Sequence, residues 1–273
     1  MTAHTISRTT IVAVLVATIA AHVARAWLQI HLTDGGMQTG LADDLSYLVV
    51  PPILILLLFP LWRSEKAFLA SQFRRVDLTW ELAARAFAIG VLIRLLWWSQ
   101  LIAGVSFGIY GSSDPDAIAG PIVSFQCASP GIVFLGFIVM AVLVPIIEEI
   151  THRGYIQSAL DGRGFIVAIS LSSLIFMVFH KFNTWPTVFL IGLVLGAQYR
   201  ITGSLWSSVF THATINGLIQ IDWRCLSGQW NPVATDLPLL LPGGVATAIF
   251  TACLIALATL LRQMITGATN APR

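Results

Sequence analysis

The sequence predicts an all-α, polytopic membrane protein with about eight transmembrane helices. Apolar residues make up 56% of the 273 positions, whereas Asp, Glu, Lys and Arg together make up only 10%. About a quarter of the residues of a soluble domain are charged, so these few charges cannot cover a water-facing globule of this size. The mean hydropathy of +0.82 also indicates a chain whose surface faces lipid.

Eight apolar runs, each bounded by polar or Gly/Pro-rich stretches, are the predicted helices. Each is close to the roughly 20 residues that cross a hydrocarbon core of about 30 Å. The predicted spans are 9–28, 46–62, 82–107, 131–159, 164–181, 186–200, 203–221 and 243–263. We interpret the first run as a helix because it is too long for the apolar part of a signal peptide and lacks a clear cleavage pattern.

The distribution of Lys and Arg predicts the orientation of the helices. With the N-terminus inside, nine basic residues fall in inside loops and tails, and three fall outside. The nine are Arg8, Arg63, Lys66, Arg74, Arg75, Arg163, Arg200, Arg262 and Arg273, and the three are Arg25, Lys181 and Arg224. The positive-inside rule therefore predicts that both termini are cytoplasmic.

One membrane domain, residues 1–273, accounts for the whole chain. No internal repeat or water-soluble domain stands out, and the net charge of +2 with scattered basic residues does not indicate a nucleic-acid partner. Cys127 and Cys225 fall in predicted outside loops, where an oxidising compartment permits a disulfide. Two unpaired thiols are the alternative, because sequence alone does not bring them within bonding distance.

Ionisable residues within the apolar runs are the candidates for chemistry, because burying a charge at membrane depth costs about 2.5 to 3.5 kcal/mol on insertion scales. They form a cluster across three runs. The fourth run carries Glu148, Glu149, His152 and Arg153, the fifth ends at His180, and the seventh carries His212 and Asn216. At a rise of about 1.5 Å per residue from the cytoplasmic turns, Glu148, His180, His212 and Asn216 lie roughly 18, 24, 14 and 20 Å deep. This convergence requires the fourth run to continue as a helix past Pro145.

Helical spacing separates the two adjacent acids. Glu149 and Arg153 are four residues apart with the acid first, the favourable order for an intrahelical ion pair. Glu148 has no such arginine, but it can reach His152, also four residues on, or a water shared with His180. It is therefore placed to exchange a proton with water, as a general base does. In a soluble helix, adjacent glutamates would instead form a solvated face.

His180, His212 and Asn216 each have a simpler interpretation when taken singly. His180 fits an interfacial histidine, and His212 with Asn216 fits a helix-packing hydrogen bond. Together with Glu148 at a matching depth, they form a constellation suited to hydrolysis, with a base, a second proton carrier and donors for an oxyanion.

Three motifs at these residues resemble those of the CPBP family of intramembrane proteases, the type II CAAX prenyl endopeptidase or ABI family. The motifs are Glu148–Gly154, Phe176–His180 and His212–Asn216. The stretch 189–206 also resembles the family's glycine-rich sixth helix and the turn that follows it. Motif coverage runs from about residue 145 to 221, and the flanking helices match only in number and apolar character.

The resemblance implies an eight-helix fold with the active site between helices 4, 5 and 7. It implies that Glu148 and His180 activate a water, that His212 and Asn216 stabilise the oxyanion, and that Glu149 and Arg153 support the site. His152 departs from the family pattern, which commonly has an apolar or aromatic residue there, and it adds a further supporting residue or metal ligand.

A mechanism without metal is favoured, and zinc is the alternative. Family members have often been labelled metalloproteases, and a bound zinc would take Glu148, His180 and His212 as ligands. The His-Glu-x-x-His pattern is absent, and Glu149-x-x-His152 is only half of a di-iron site. A cysteine nucleophile is disfavoured, because no His or Asp has a spacing that connects it to Cys127 or Cys225.

The sequence thus predicts an intramembrane endopeptidase that cuts a membrane-associated protein or peptide within or next to the lipid bilayer. Processing or sorting of C-terminal membrane anchors is one role within the family. Two non-enzyme classes remain as alternatives, a proton-coupled transporter that uses the same buried polar cluster as a relay and a silent membrane scaffold. Against a transporter, the chain shows no inverted repeat and no paired broken helices.

Overall fold

Helices form all the regular structure in the part of the chain that the computed structural model describes, residues 6–37, 39–73, 78–109, 130–180, 182–220 and 242–270. We number these helices α1 (Arg8–Asp34), α2 (Thr39–Ser46), α3 (Val50–Ser64), α4 (Lys66–Gln72), α5 (Trp80–Ser106), α6 (130–163), α7 (Phe165–Val178), α8 (Trp185–Thr202), α9 (Leu205–Ile219) and α10 (Gly243–Asn270). The 3-10 turn Tyr47–Val49 joins α2 to α3. Each of the eight predicted runs overlaps one of these helices, so the prediction of an all-α polytopic membrane protein is confirmed. Cys127 and Cys225 lie outside the described residues, and their disulfide stays a prediction.

Five helical stretches among the described residues are long and apolar enough to cross a membrane. They are Arg8–Asp34, Leu41–Ser64, Trp80–Gly104, Val133–Arg163 and Gly243–Gln263. Phe165–Val178 is a shorter apolar helix of 14 residues. The chain is therefore a membrane protein, and the count of eight crossings stays a prediction.

Capping residues and glycines set several helix ends. The Ser7 hydroxyl accepts a hydrogen bond from the Thr10 amide at 3.0 Å and begins α1. This helix continues to Asp34, past the end predicted at residue 28, and stops before Gly36, whose φ of 85° is accessible mainly to glycine. Gly203, with a φ of 65°, ends α8, and Ser204 then caps α9.

Helix α6 contains two wide π-helical stretches, Phe137–Leu143 and Ile150–Gln157, on either side of the α-helical turn Val144–Glu149. Pro145 lies inside α6, two residues after the end of the first π-helical stretch, and the backbone stays helical on both sides of it. The helix therefore continues past Pro145, as the convergence of the site residues requires. Single π turns inside α-helices occur frequently at functional sites.

Two clusters of buried apolar residues flank the middle of α6. The first joins α1, α3 and α6 and includes Val14, Leu54 and Ile147. The second joins α5, α7, α8, α9 and α10 and includes Ile89, Phe176, Leu195, Ile215 and Leu257. Ile147, next to Glu148, belongs to the first cluster, and the guanidinium of Arg153 packs on Phe176 of the second. The polar residues of α6 therefore lie between the two clusters.

Candidate active site

One cavity of about 140 Å³ is lined by all four residues that the sequence predicts as catalytic. Glu148 comes from α6, His180 follows the end of α7, and His212 and Asn216 come from α9. The rest of the wall is largely apolar and includes Trp97, Met140, Val144, Phe176, Val188, Ile191, Ile215 and Ile219. The three helices thus bring their polar side chains to a common space, as the depth estimate predicts.

The second acid of the pair, Glu149, is fully buried and has two partners. Its Oε1 lies 3.2 Å from Arg153 Nη1, which is the ion pair predicted from their spacing. The same oxygen lies 2.9 Å from His212 Nδ1, a contact that spacing along one helix could not reveal. Because an ionised carboxylate only accepts hydrogen bonds, we assign the donor role to His212 Nδ1.

The first acid, Glu148, is 3% exposed and faces the other nitrogen of the same imidazole. Its Oε2 lies 3.7 Å from His212 Nε2, a distance that brings the two groups together without a direct hydrogen bond. His212 therefore stands between the two acids, with Nδ1 held by Glu149 and Nε2 directed to Glu148.

The ring of His180 is oriented by its own helix end. Its Nδ1 lies 2.9 Å from the carbonyl oxygen of Phe176, and a carbonyl can only accept. We therefore assign the proton to Nδ1, which leaves Nε2 as the acceptor of a neutral imidazole. The indole of Trp185 donates to the His180 carbonyl at 3.0 Å and fixes the turn that carries the ring.

The side-chain amide of Asn216 is held by a main-chain carbonyl in the first half of α6. Its Nδ2 donates to the carbonyl of Met140 at 2.9 Å, across the contact between α9 and the first π-helical stretch. A carboxamide nitrogen has two N–H donors. One of them thus orients the amide beside the cavity.

The side chains of Phe176 and Arg153 pack against each other and contact the other polar residues of the site. The Arg153 guanidinium carbon lies 4.5 Å from the centre of the Phe176 ring, and Arg153 Nη2 donates to the carbonyl of Gly192 at 3.3 Å. The Phe176 ring also contacts the rings of His152, His180 and His212, with centroid distances of 5.1, 4.6 and 5.8 Å. One aromatic ring therefore fixes all three histidines of the motifs relative to the buried ion pair.

His152 lies behind the cavity wall and is not among its lining residues. Its Nδ1 lies 3.0 Å from the Glu148 main-chain carbonyl and 3.0 Å from the Thr151 hydroxyl. Its ring packs edge-on against Phe176 and Phe179. The sequence led us to expect that the Glu148 carboxylate reaches His152. The contact that the structure shows is instead between His152 Nδ1 and the main-chain carbonyl of Glu148.

Sequence reasoning missed a polar group contributed by the first part of the chain. Asp43 and Tyr47 line the cavity, and Arg25 of α1 donates to Asp43 at 2.6 Å. The distribution of Lys and Arg along the sequence counts Arg25 among the outside residues. In the structure, Arg25 is a residue of α1 with a buried side chain. Its position inside an apolar run was the available signal, because a charge there is a candidate for a functional role.

The side chains also bear on the zinc alternative. In the described ranges, no group of three or more His, Cys, Asp or Glu side chains is arranged to hold a metal ion. The hydrogen bonds of His180 and His212 through Nδ1 leave their Nε2 atoms as the nitrogens that face the cavity.

Part of the chain is similar to a known protein family. Residues 129–218 match a family described as Rce1-like, type II CAAX prenyl endopeptidase. The matched residues run from the beginning of α6 to α9 and contain all four predicted catalytic residues. No curated protein and no solved structure is significantly similar to the chain.

Proposed function

We propose that this chain is a peptide hydrolase in which Glu148 and His180 activate the water that cleaves the substrate. The match of residues 129–218 to the Rce1-like family of type II CAAX prenyl endopeptidases supports this proposal. The substrate is a membrane-associated protein or peptide. The main observation in support of the proposal is that Glu148, His180, His212 and Asn216 all line the same cavity.

In the proposed first step, Glu148 takes a proton from a water molecule as the water oxygen attacks the scissile carbonyl. The His180 imidazole accepts a hydrogen bond through Nε2 and orients that water. The carbonyl becomes a tetrahedral oxyanion. Glu148 then passes its proton to the leaving amine, so that the acid ends the reaction in the state in which it began.

His212 and Asn216 stabilise the oxyanion in this proposal. His212 points Nε2 toward the reacting atoms, because Glu149 accepts from its Nδ1. Donation from Nε2 to the oxyanion therefore uses the imidazolium form of His212, in which both ring nitrogens carry a proton. Asn216 offers its second amide N–H, because the first is bonded to Met140. Donors that are fixed before the reaction need no reorganisation as the charge develops, which is the main source of such stabilisation.

Mapping of protein termini in membranes tests this proposal and identifies the substrate in the same experiment. Membranes from cells that express the wild type, Glu148→Gln or Glu81→Gln are compared by mass spectrometry of N- and C-termini. Glu81 is the matched control, because it is an exposed glutamate on α5, far along the chain from the motifs. We expect a set of new termini that disappears in Glu148→Gln and persists in Glu81→Gln.

The same variants distinguish the other classes of function. A proton-coupled transporter would lose flux in Glu148→Gln and would produce no new termini in either form. A silent scaffold would show no difference between the variants. An unchanged set of termini in a folded Glu148→Gln protein would contradict the proposed role of Glu148.

The class of substrate is tested with purified protein in liposomes. One peptide carries a farnesylated C-terminal CAAX sequence, and a second carries an unmodified apolar C-terminal anchor. We propose anchor processing or sorting as the role, so we expect cleavage of the second peptide. Cleavage of the farnesylated peptide alone would assign the protein to CAAX processing instead.

A mechanism without metal is part of the proposal. Activity is expected to survive exhaustive chelation followed by removal of the chelator. Loss of activity that zinc alone restores would show that a zinc ion acts at the site, with Glu148, His180 and His212 as its ligands.

A further inference from the structure

The segment α2 and the turn after it form a wall of the catalytic cavity. The chain reverses at Gly35 and Gly36, so that α2 packs back against α1. The turn Tyr47–Val49 contacts the π-helical stretch Phe137–Leu143 of α6. As a result, two side chains of this segment, Asp43 and Tyr47, line the same cavity as the four predicted catalytic residues.

Arg25 of α1 holds both of these side chains. Its Nη2 donates to Asp43 Oδ1 at 2.6 Å, and its guanidinium carbon lies 3.7 Å from the centre of the Tyr47 ring. Arg25 is 8% exposed and Asp43 is 7% exposed. A helix of only eight residues is not stable by itself, so these tertiary contacts hold α2 in place.

The carboxylate in this wall is paired with an arginine. Arg25 neutralises Asp43, just as Arg153 neutralises Glu149. The part of the wall formed by the Arg25–Asp43 pair is therefore polar without a net charge. Such a surface suits the main chain of a peptide, because Asp43 supplies acceptor oxygens for N–H groups and Tyr47 supplies an aromatic face for an uncharged side chain.

We propose that Arg25 is a positioning residue that holds Asp43 and Tyr47 at the cavity, where these two side chains bind the substrate peptide next to the bond that is cut. The inference rests on the proposed function. It adds a binding surface from outside the family match, and it predicts that the substrate residue against this wall is uncharged.

Photo-crosslinking in cells tests the contact directly. Tyr47→p-benzoylphenylalanine is introduced into the inactive Glu148→Gln protein, and adducts are identified by mass spectrometry after illumination. We expect adducts with the proteins whose new termini depend on Glu148, at residues flanking the cut bond. The control is Phe87→p-benzoylphenylalanine on α5, where the side chain is 57% exposed on the outer surface; it should give none of these adducts.

Substitutions at Arg25 test its positioning role. Arg25→Met should lower the yield of substrate adducts from position 47 at least fivefold, and Arg25→Lys should lower it less, because the charge partner of Asp43 is kept. Arg85→Met, which removes the arginine of the exposed Glu81 pair, should leave the yield unchanged. Ile219→p-benzoylphenylalanine, on the α9 wall of the cavity, should still capture substrate in Arg25→Met and so report that the cavity is folded.

Each outcome bears on the inference. If termini depend on Glu148 but position 47 captures none of those proteins, the inference is overturned while the proposed function stands. It is also overturned if Arg25→Met leaves the yield from position 47 unchanged, or abolishes capture at positions 47 and 219 alike. If no termini depend on Glu148, the proposed function fails and the inference falls with it.

Discussion

Glu148 and Glu149 are neighbours in the chain but have different surroundings. Glu149 is held by Arg153 and by His212, at 3.2 and 2.9 Å. Glu148 faces the cavity, and its nearest imidazole nitrogen is 3.7 Å away. One acid is thus tied into buried ion pairs, and the other faces the cavity, where we propose that it activates water.

Substitution of Glu149 should lower stability more than substitution of an exposed acid. Glu149→Gln leaves the fully buried Arg153 without its counter-charge, and removal of one partner of a buried pair costs about 3 to 5 kcal/mol. The free energy of unfolding in detergent measures the loss. In the matched Glu81→Gln variant, whose pair with Arg85 is largely exposed, the change should stay below about 1 kcal/mol.

His152 should tolerate an aromatic replacement. Its ring packs edge-on against Phe176 and Phe179, and it does not line the cavity. His152→Phe is therefore expected to retain Glu148-dependent cleavage within about threefold, whereas His180→Phe should abolish it. The same terminus mapping measures both variants, and complete loss in a folded His152→Phe protein would contradict a packing role.

Which residues the sequence could predict depends on how far apart the partners lie in the chain. The pair of Glu149 and Arg153 was predictable because helical geometry relates positions four apart. The pair of Arg25 and Asp43 was not, because it depends on how a glycine turn folds α2 against α1. The position of His212 between Glu148 and Glu149 was also not predictable, because it depends on the packing of α6 against α9.

At the scale of helices, close packing of α7 against α8 supports the site. A Cβ atom built on Gly192 would lie 2.8 Å from Ser173 Cβ and 3.1 Å from Ser173 Cα. The absence of a side chain lets the two backbones approach, and the carbonyl of Gly192 accepts a hydrogen bond from Arg153. The glycine of α8 therefore connects helix packing to the buried ion pair.

Gly192→Ala should separate these helices and weaken the site. Overpacking of this kind costs about 1 to 3 kcal/mol, and the shift also moves the carbonyl that Arg153 contacts. Unfolding in detergent and cleavage activity measure the two effects. Gly131→Ala is the control, because its added Cβ meets nothing within 4 Å, and it should not lower stability.

Hydropathy predicted helices but not their internal form. The eight apolar runs correspond to helices because apolar length is what determines insertion into lipid. The π-helical stretches of α6 and the short helix α2 were not predictable, because they depend on local backbone packing rather than on mean hydropathy. Both features lie next to the cavity, where local structure departs most from the regular pattern.

For the whole molecule, the outer surface is apolar, as expected for contact with acyl chains. Large apolar side chains are exposed along several helices, among them Val23, Trp27, Leu56, Phe134, Ile166 and Ile255. Surface of this kind would aggregate in water. The chain is therefore embedded in the bilayer, and the basic residues predict its orientation there.

Both termini are predicted to be cytoplasmic. In a protein whose Cys127, Cys225 and Cys253 are replaced by serine, a thiol introduced by Arg8→Cys should react with a membrane-impermeant maleimide only after the membrane is opened, because the predicted excess of Lys and Arg lies on its side. Gly108→Cys lies just after the C-terminal end of α5, which is predicted to face outward, and it should react in intact cells. The reverse pattern would contradict the orientation derived from charge.

The 14-residue helix α7 has a consequence for the surrounding lipid. It is about 21 Å long, whereas a hydrocarbon core is about 30 Å thick. Ile166 and Leu174 on its outer face are exposed, so the apolar wall that faces lipid here is shorter than the hydrocarbon core. Such hydrophobic mismatch makes the bilayer thin locally. A hydrophilic stretch of polypeptide therefore has less hydrocarbon to cross beside the helix whose end carries His180.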